Sequence, residues 1–192
     1  MTHQAKTLES EDVDVLLDYI EQTRHKKRDR AMFMLTWLAG LRVSEVAQLK
    51  LSDIRAKHAL IKNEIRLNAY QTKGGKRRIV FLSDRLKEEL VNYLQDHANR
   101  SDEESLFLTQ KSGARGFTPN TLAQHFYWLY KKAGISGASS HSGRRTFATT
   151  LSAKGVPPRV IMRAMGHQDI SSTMIYVDAS DDMVRSAVNA IM

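Results

Sequence analysis

His141-Ser142-Gly143-Arg144-Arg145-Thr146-Phe147-Ala148-Thr149 is the most informative stretch of this chain, together with Met165-Gly166-His167 and Tyr176 further along. His141 and Arg144 are three residues apart, so on a helix they share one face about a turn apart and can bind one anionic group. That geometry suits a phosphate. Gly166 predicts the left-handed end of a second helix, with His167 in the turn beyond it. Tyr176 follows in a short segment of its own, and a movable tyrosine beside two cations suggests a nucleophile.

Two further candidates for an anion site lie upstream. Arg42 follows Gly40 in a tight turn between two apolar helices, and Ser44 is the predicted N-cap of the second helix. The run 72–76, Thr-Lys-Gly-Gly-Lys, lies between two strand-like segments, so we expect Lys73 at the tip of a hairpin. This basic hairpin suits a DNA groove, although an exposed turn made soluble by its charges is the alternative.

Read in chain order, this set resembles the catalytic signature of the tyrosine recombinase (phage integrase) family: Arg42, Lys73, His141, Arg144, His167 and Tyr176. The resemblance extends from about Leu8 to Tyr176. It implies that Arg42 is the first catalytic arginine with Glu45 in support. Likewise it implies that Lys73 is the hairpin lysine and that Tyr176 is the nucleophile. His141 and Arg144 then match the His-x-x-Arg box, and His167 matches the Gly-His turn. The chain departs from the pattern at Gly143, where the box usually has an apolar residue, most often Leu, and glycine costs the helix some stability.

The size and ends of the chain define the expected domain organisation. A length of 192 residues with 42% hydrophobic composition is enough for one domain with its own core, so we expect residues 1–192 to form a single catalytic domain. Arg42 occurs too early to leave room for the helical core-binding domain that precedes this one in the family. Residues 181–192 form an amphipathic tail, which packs either on its own domain or on a neighbouring protomer.

Composition limits the possible partners and cofactors. The formal net charge of +8 is compatible with a polyanionic partner without proving one. Cysteine is absent, which excludes disulfides, thiolate zinc sites and a cysteine nucleophile, and fits a reducing cytoplasm. The apolar run from Ala31 to Leu41 is too short to span a membrane. Without a Walker loop, acidic metal cluster or His-Glu-x-x-His motif, we expect no metal and no other cofactor. The polar N-terminal residues 1–6 have no apolar run behind them, which favours a cytoplasmic protein.

Apolar periodicity predicts the fold class. Ser10 begins a first helix, the charged run 24–30 favours a solvated helix start, and 32–38 is apolar on most sides and therefore central. Period-two residues then mark a small antiparallel sheet: Ile61, Ile65, Leu67, Ile79, Phe81 and Leu82. Further helices begin at Ser83, Thr118-Pro119 and Pro157-Pro158. The remaining histidines are expected at the surface or as satisfied core residues: His58, His97 and His125. We predict an α+β fold, a mainly helical catalytic domain with one small antiparallel sheet.

The residue types suit phosphodiester chemistry. Attack by a hydroxyl builds negative charge on the non-bridging oxygens, which Arg42 and Arg144 can hold through forked hydrogen bonds. A tyrosine is protonated at neutral pH, so His141 is a reasonable general base, Lys73 can protonate the leaving 5′-oxygen, and His167 can hydrogen-bond the phosphate.

The predicted function is therefore a site-specific DNA recombinase that works through a covalent 3′-phosphotyrosine, without metal or ATP. The expected partners are double-stranded DNA and further copies of the chain, as a tetramer on DNA. Predicted DNA contacts come from Lys73, Lys76, Arg77, Arg78, Arg115 and Arg145. Two alternatives stay open: a type IB topoisomerase-like nicking and closing enzyme, and a non-catalytic DNA-binding regulator with the same fold.

Overall fold

The structure is a computed structural model that describes residues 4–56, 60–72, 74–97, 99–110, 115–177, 184–185 and 188–189. Its α-helices are, in chain order, α1 (Ser10–Glu21), α2 (Lys26–Ala39), α3 (Val43–Ala47), α4 (Leu51–Ile54), α5 (Asp84–Leu94), α6 (Pro119–Lys132), α7 (Ser142–Ala153), α8 (Pro158–Met165) and α9 (Ser171–Met174). Two strands, β1 (Glu64–Leu67) and β2 (Arg78–Phe81), pair antiparallel between α4 and α5. The predicted fold class is confirmed.

The first helix begins at Ser10, as the sequence predicted. The Asp12 side chain accepts the backbone N–H of Glu9 at 3.0 Å, so Glu9 is the N-cap and Ser10 is the first helical residue. The acidic first turn also suits the positive end of the helix dipole. One face of α1, with Val13, Leu16 and Ile20, is buried. That apolar stripe attaches α1 to α2 and α6.

Helix α2 is central, as its composition predicted, and it packs against α5 and α7. Its side chains from Ala31 to Leu35 are at most 1% exposed. The predicted solvated start of this helix is wrong for Arg28 and Asp29, which are both buried. Asp29 accepts hydrogen bonds from Arg28 Nε at 2.9 Å and is 3.0 Å from His125 Nε2. His125 is therefore a satisfied, partly buried histidine that links α6 to α2.

The register of the β1–β2 hairpin determines which side chains face the core. Leu67 is paired with Arg78, and Ile65 with Val80. Because side chains alternate along a strand, Arg78 shares the inner face with Val80, while Ile79 and Phe81 face outwards. Phe81 lies in a strand, as the sequence predicted, but it is 69% exposed and does not belong to the core.

Helix α6 joins the main core, and α7 and α8 build a second, smaller one. The Thr118 hydroxyl accepts the N–H of Thr121 at 3.2 Å and Pro119 follows, which confirms the predicted start of α6. Ala148 of α7 packs with Ile161 and Met165 of α8, and Tyr176 lies against this cluster. The segment after α9 is thereby held close to α7. Most of the predicted tail, 181–192, lies outside the described residues.

Candidate active site

A left-handed glycine fixes the position of the first arginine. Helix α2 ends at Gly40, where φ is +60°, and a Cβ built there would lie 2.5 Å from Phe147 Cδ1. Only glycine satisfies both the backbone conformation and this close contact. The chain then enters α3 directly, with Arg42 as the N-cap. Ser44, the predicted cap, lies within α3 instead. Because Gly40 contacts Phe147 of α7, Arg42 lies close to the place where α2, α3 and α7 meet.

Glu45 is a fully buried carboxylate that binds two arginines. Its Oε2 accepts the backbone N–H of Arg42 at 2.7 Å, and its Oε1 accepts Arg42 Nη1 at 3.1 Å. Arg78 donates to both oxygens, at 2.6 Å from Nη2 and 3.2 Å from Nε. Burial alone would raise the pKa of Glu45, but the hydrogen bond and charge of Arg78, followed by the Arg42 N–H, lower it below the ordinary value. Glu45 is thus an anion that orients Arg42.

Arg78 connects this anion to the other side of the site. Its Nη1 donates to the carbonyl of Ala164 in α8 at 2.9 Å, and its side chain is only 9% exposed. A Cβ built on Gly166 would lie 2.4 Å from Arg78 Cδ, so the turn after α8 closes tightly over this side chain. The placement differs from the DNA contact predicted for Arg78, because strand alternation directs it inwards. Sequence reasoning missed this supporting role, because the residues taken to mark the strand, Ile79 and Phe81, lie on the opposite face from Arg78.

Arg144 lies at the centre of the site. It is 5% exposed, and its Nη1 donates to the carbonyl of Gly40 while Nη2 donates to that of Met165 at 2.6 Å. Burial, followed by the neighbouring charge of Arg42, lowers the pKa of Arg144 to about 9, so it remains a cation near neutral pH. His141 is the exposed N-cap of the same helix, one turn before Arg144.

Gly143, the departure from the family pattern, has a packing reason. A Cβ at this position would lie 2.3 Å from Thr36 Oγ1 and 3.2 Å from Thr36 Cβ. The glycine therefore allows α7 to approach α2 closely, and a leucine would not fit. Arg144 follows immediately on this close contact, which places it beside the end of α2.

His167 occupies the turn that Gly166 creates. Gly166 has φ +62°, as the sequence predicted for a left-handed helix end, and His167 N donates to Met162 O at 3.0 Å. His167 Nδ1 is 2.9 Å from the Thr173 hydroxyl, which is fully buried. Burial, then the charges of Arg144 and Arg42, lower the pKa of His167 to about 4. The ring is neutral near pH 7, and a Thr173 hydroxyl that donates to Nδ1 leaves the ring proton on Nε2 for a phosphate oxygen.

Tyr176 lies next to these groups. Its ring is stacked with the His167 ring, with centroids 6.2 Å apart and planes at 25°. The Arg145 guanidinium carbon lies 5.5 Å from the Tyr176 ring centroid. Tyr176 and Arg42 are both among the groups that act electrostatically on Arg144. Four of the six predicted catalytic residues, Arg42, Arg144, His167 and Tyr176, are therefore close neighbours.

The hairpin approaches the same region. Lys73 lies outside the described residues, but a Cβ on Gly74 would be 3.0 Å from Gln168 Nε2, directly after His167. This contact places the hairpin turn beside the Gly-His turn. Lys76, Arg77 and Arg115 are exposed, so each is accessible as a DNA contact, and that role stays a prediction for all three.

The described residues include neither a group of metal ligands nor a membrane-spanning helix. Among these residues no group of three or more His, Asp and Glu side chains is arranged to hold a metal ion. No helix in the same part is long and apolar enough to cross a bilayer.

Comparison with known proteins connects this geometry to a family. The model of the phage integrase family matches residues 6–183. The chain belongs to the phage integrase family. It is 35% identical over 186 residues to the tyrosine recombinase XerA of Thermococcus kodakarensis, covering 95% of this chain and 61% of that protein. It is also 32% identical over 194 residues to the tyrosine recombinase XerD of Rickettsia bellii, covering 94% and 62% respectively. The chain thus spans about three fifths of the length of these relatives.

Solved structures agree with this assignment. A crystal structure of XerA recombinase superimposes with a TM-score of 0.76 and 25% identity, covering 99% of this chain and 66% of that one. The XerH recombinase, solved with a palindromic difH substrate as a post-cleavage complex, gives a TM-score of 0.72 at 22% identity, covering 98% and 53%. At 22% identity, the match to XerH shows a shared fold only.

Proposed function

We propose that residues 1–192 form the catalytic domain of a site-specific DNA recombinase that cleaves and rejoins strands through a covalent 3′-phosphotyrosine. The observation that supports this most strongly is the convergence of two arginines, a neutral histidine and a tyrosine from four separate segments. Relatives named tyrosine recombinase, at up to 35% identity, and the XerH structure bound to DNA support the same reaction class. Their names favour recombination over the topoisomerase-like and non-catalytic alternatives.

The proposed reaction uses each group at a stated point. The Tyr176 oxygen attacks the phosphorus, the bond to the 5′-oxygen breaks, and a 3′-phosphotyrosyl bond replaces it. His141 accepts the tyrosine proton, and Lys73 donates one to the leaving 5′-oxygen. Attack by a free 5′-hydroxyl reverses these steps, so the bond energy is conserved and no ATP is needed.

The transition state gains charge on its non-bridging oxygens, and the site supplies fixed positive groups for it. Glu45 orients Arg42 and two backbone carbonyls orient Arg144, so neither guanidinium has to reorganise as the charge develops. A guanidinium has five N–H groups, and the two carbonyls accept two of those on Arg144. Neutral His167 contributes a hydrogen bond through Nε2 without adding a further charge.

Partners and assembly are part of the same proposal. Double-stranded DNA is the substrate, contacted by Lys73, Lys76, Arg77 and Arg115. Strand exchange between two duplexes needs several copies of the chain, and we propose a tetramer on DNA, assembled in part through residues 181–192. A cytoplasmic location and a reaction without cofactors complete the proposal.

Trapping the covalent intermediate tests this function. A pool of nicked duplexes with randomised sequence, each losing a short 5′-hydroxyl fragment on cleavage, should yield protein–DNA adducts that resist boiling in detergent. Tyr176→Phe removes one oxygen and should abolish the adduct while leaving folding and DNA binding nearly unchanged. The matched control is Tyr127→Phe, because Tyr127 is 47% exposed and lies on α6, which contributes none of the six predicted catalytic residues. An adduct that persists in Tyr176→Phe, or no adduct with the wild-type chain across the pool, would contradict the proposal.

A further inference from the structure

Arg145 joins two parts of the molecule that the sequence did not connect. Its Nε donates to the Thr7 hydroxyl at 2.9 Å, and its guanidinium carbon lies 5.5 Å from the Tyr176 ring centroid. A guanidinium within about 6 Å of an aromatic face is attracted by the ring quadrupole. One side chain therefore contacts both a residue near the start of the chain and the proposed nucleophile.

The partner at the start of the chain is itself firmly held. Residues 6–9, which we name the N-terminal strap, lie along α7 and the loop before it. Leu8 is 4% exposed and its N–H donates to Thr146 Oγ1 at 2.8 Å, while Lys6 N donates to Gly137 O at 3.1 Å. Thr7 lies between these two anchored residues, so its hydroxyl has a defined position from which to orient Arg145.

The Tyr176 side chain lies against the small core formed by α7 and α8, and two further side chains contact its ring. It lies after the four-residue helix α9 and is only partly buried. The described ring contacts of Tyr176 are with His167 and Arg145. A ring on so short a segment has other rotamers within reach, and the contact with Arg145 selects among them.

We propose that Arg145 is a positioning residue for Tyr176, and that the N-terminal strap fixes it through Thr7. The inference rests on the proposed function and goes beyond it, because it assigns to Arg145 a role other than the phosphate contact predicted from the sequence. It also makes the strap part of the catalytic apparatus: a displacement of residues 6–9 moves Arg145 and thereby the nucleophile.

The two roles of Arg145 give different results for charge-preserving and charge-removing variants. If Arg145 binds a phosphate, Arg145→Gln reduces the salt dependence of DNA affinity by about one unit and Arg145→Lys restores it. If Arg145 positions Tyr176, both variants keep the wild-type salt dependence. Both then cleave more slowly at saturating DNA, because lysine lacks the planar fork that contacts the ring and Thr7 together.

Thr7→Val provides the sharpest test, since it removes one hydroxyl and changes no charge. With the nicked duplex selected by the wild-type chain, adduct formation at saturating DNA should slow by about 3- to 10-fold in Thr7→Val and by about 5- to 30-fold in Arg145→Gln. The double variant should be no slower than Arg145→Gln alone, because both changes break one chain of contacts. Thr150→Val, at an exposed position of α7, is the matched control and should cleave at the wild-type rate.

A measurement without DNA separates this inference from the proposed function. The chain has six tyrosines, and in protein labelled with 3-fluorotyrosine the Tyr176 signal is identified by its loss in Tyr176→Phe. That signal should shift in Thr7→Val and Arg145→Gln and stay in place in Thr150→Val. An unshifted Tyr176 signal in both variants, or wild-type cleavage by Thr7→Val, would overturn the positioning role. Shifted Tyr176 signals in both variants, together with no adduct from the wild-type protein, would refute only the proposed function.

Discussion

Replacing Arg78 by methionine tests whether the buried ion pair supports the site. The change leaves the Glu45 carboxylate, which is 0% exposed, with Arg42 as its remaining charged hydrogen-bond partner. Breaking a buried pair costs about 3–5 kcal/mol, and we take the lower end because Arg42 stays in place. A chain of this length loses about 2–4 °C in Tm per kcal/mol, so Tm should fall by about 6–12 °C.

The pH dependence of this loss identifies its cause. In the wild-type protein the pKa of Glu45 lies below its ordinary value of 4.5, so its ion pair stabilises the fold above that pH and is lost as pH falls through the folded pKa. In Arg78→Met, the largest interaction that opposes the effect of burial is lost, so the Glu45 carboxylate accepts a proton more readily than in the wild-type protein. The difference in Tm between variant and wild type should therefore shrink as the pH falls from about 7 to about 4.5.

Arg66→Met is the matched control, because it removes another arginine from the same hairpin. Arg66 pairs with Glu64 at 2.7 Å, yet its side chain is 79% exposed, and such pairs contribute little. Its Tm should stay close to that of the wild type when both are followed by circular dichroism. Equal losses of Tm in Arg78→Met and Arg66→Met, or a Tm deficit of Arg78→Met that does not change with pH, would refute a supporting role for the buried ion pair.

Two further predictions concern the histidine and the glycine of the site. The pKa of His167 is lowered to about 4 from 6.5, so the unfolded state binds more protons between these values and stability falls as the pH decreases. When the pH is lowered from about 7 to about 5, the Tm of His167→Gln should therefore decrease less than the Tm of the wild type. An equal decrease would count against a neutral His167. Gly143→Ala should lower the free energy of unfolding in urea by about 1–3 kcal/mol through crowding of Thr36. Adding Thr36→Ala should recover part of that loss; no recovery would place the crowding elsewhere.

Motif spacing predicted the elements of the site well, because local rules determine them. Gly40 and Gly166 end helices in the left-handed conformation, as expected where a non-glycine residue would be strained. The spacing of His141 and Arg144 depends only on helix geometry. Such features need no knowledge of the remaining fold.

Contacts between distant segments were less predictable. Arg78 was assigned to the DNA surface with its basic neighbours, and its partner Glu45 lies 33 residues earlier in the chain. Val80 pairs with the buried Ile65, and Arg78 lies on the same face as Val80, two residues along the strand. This register, which directs Arg78 inwards, is known only once both strands are placed. The contact between Arg145 and Thr7 was likewise missed, since the two residues are 138 positions apart in the sequence. Charge alone did not distinguish a cation that contacts solvent from one that contacts the protein.

The backbone itself explains why the arginine clamp depends on the whole fold. Arg144 donates to Gly40 O at the end of α2 and to Met165 O at the end of α8. The carbonyls at the end of a helix have no hydrogen-bond partner within the helix. Here the Arg144 guanidinium supplies a partner to one carbonyl at the end of α2 and to one at the end of α8. The hydrogen bonds that orient the cation thus form only when α2, α7 and α8 are packed together. Arg144 is therefore oriented before substrate arrives, which is the condition under which a fixed charge stabilises a transition state at no cost in reorganisation.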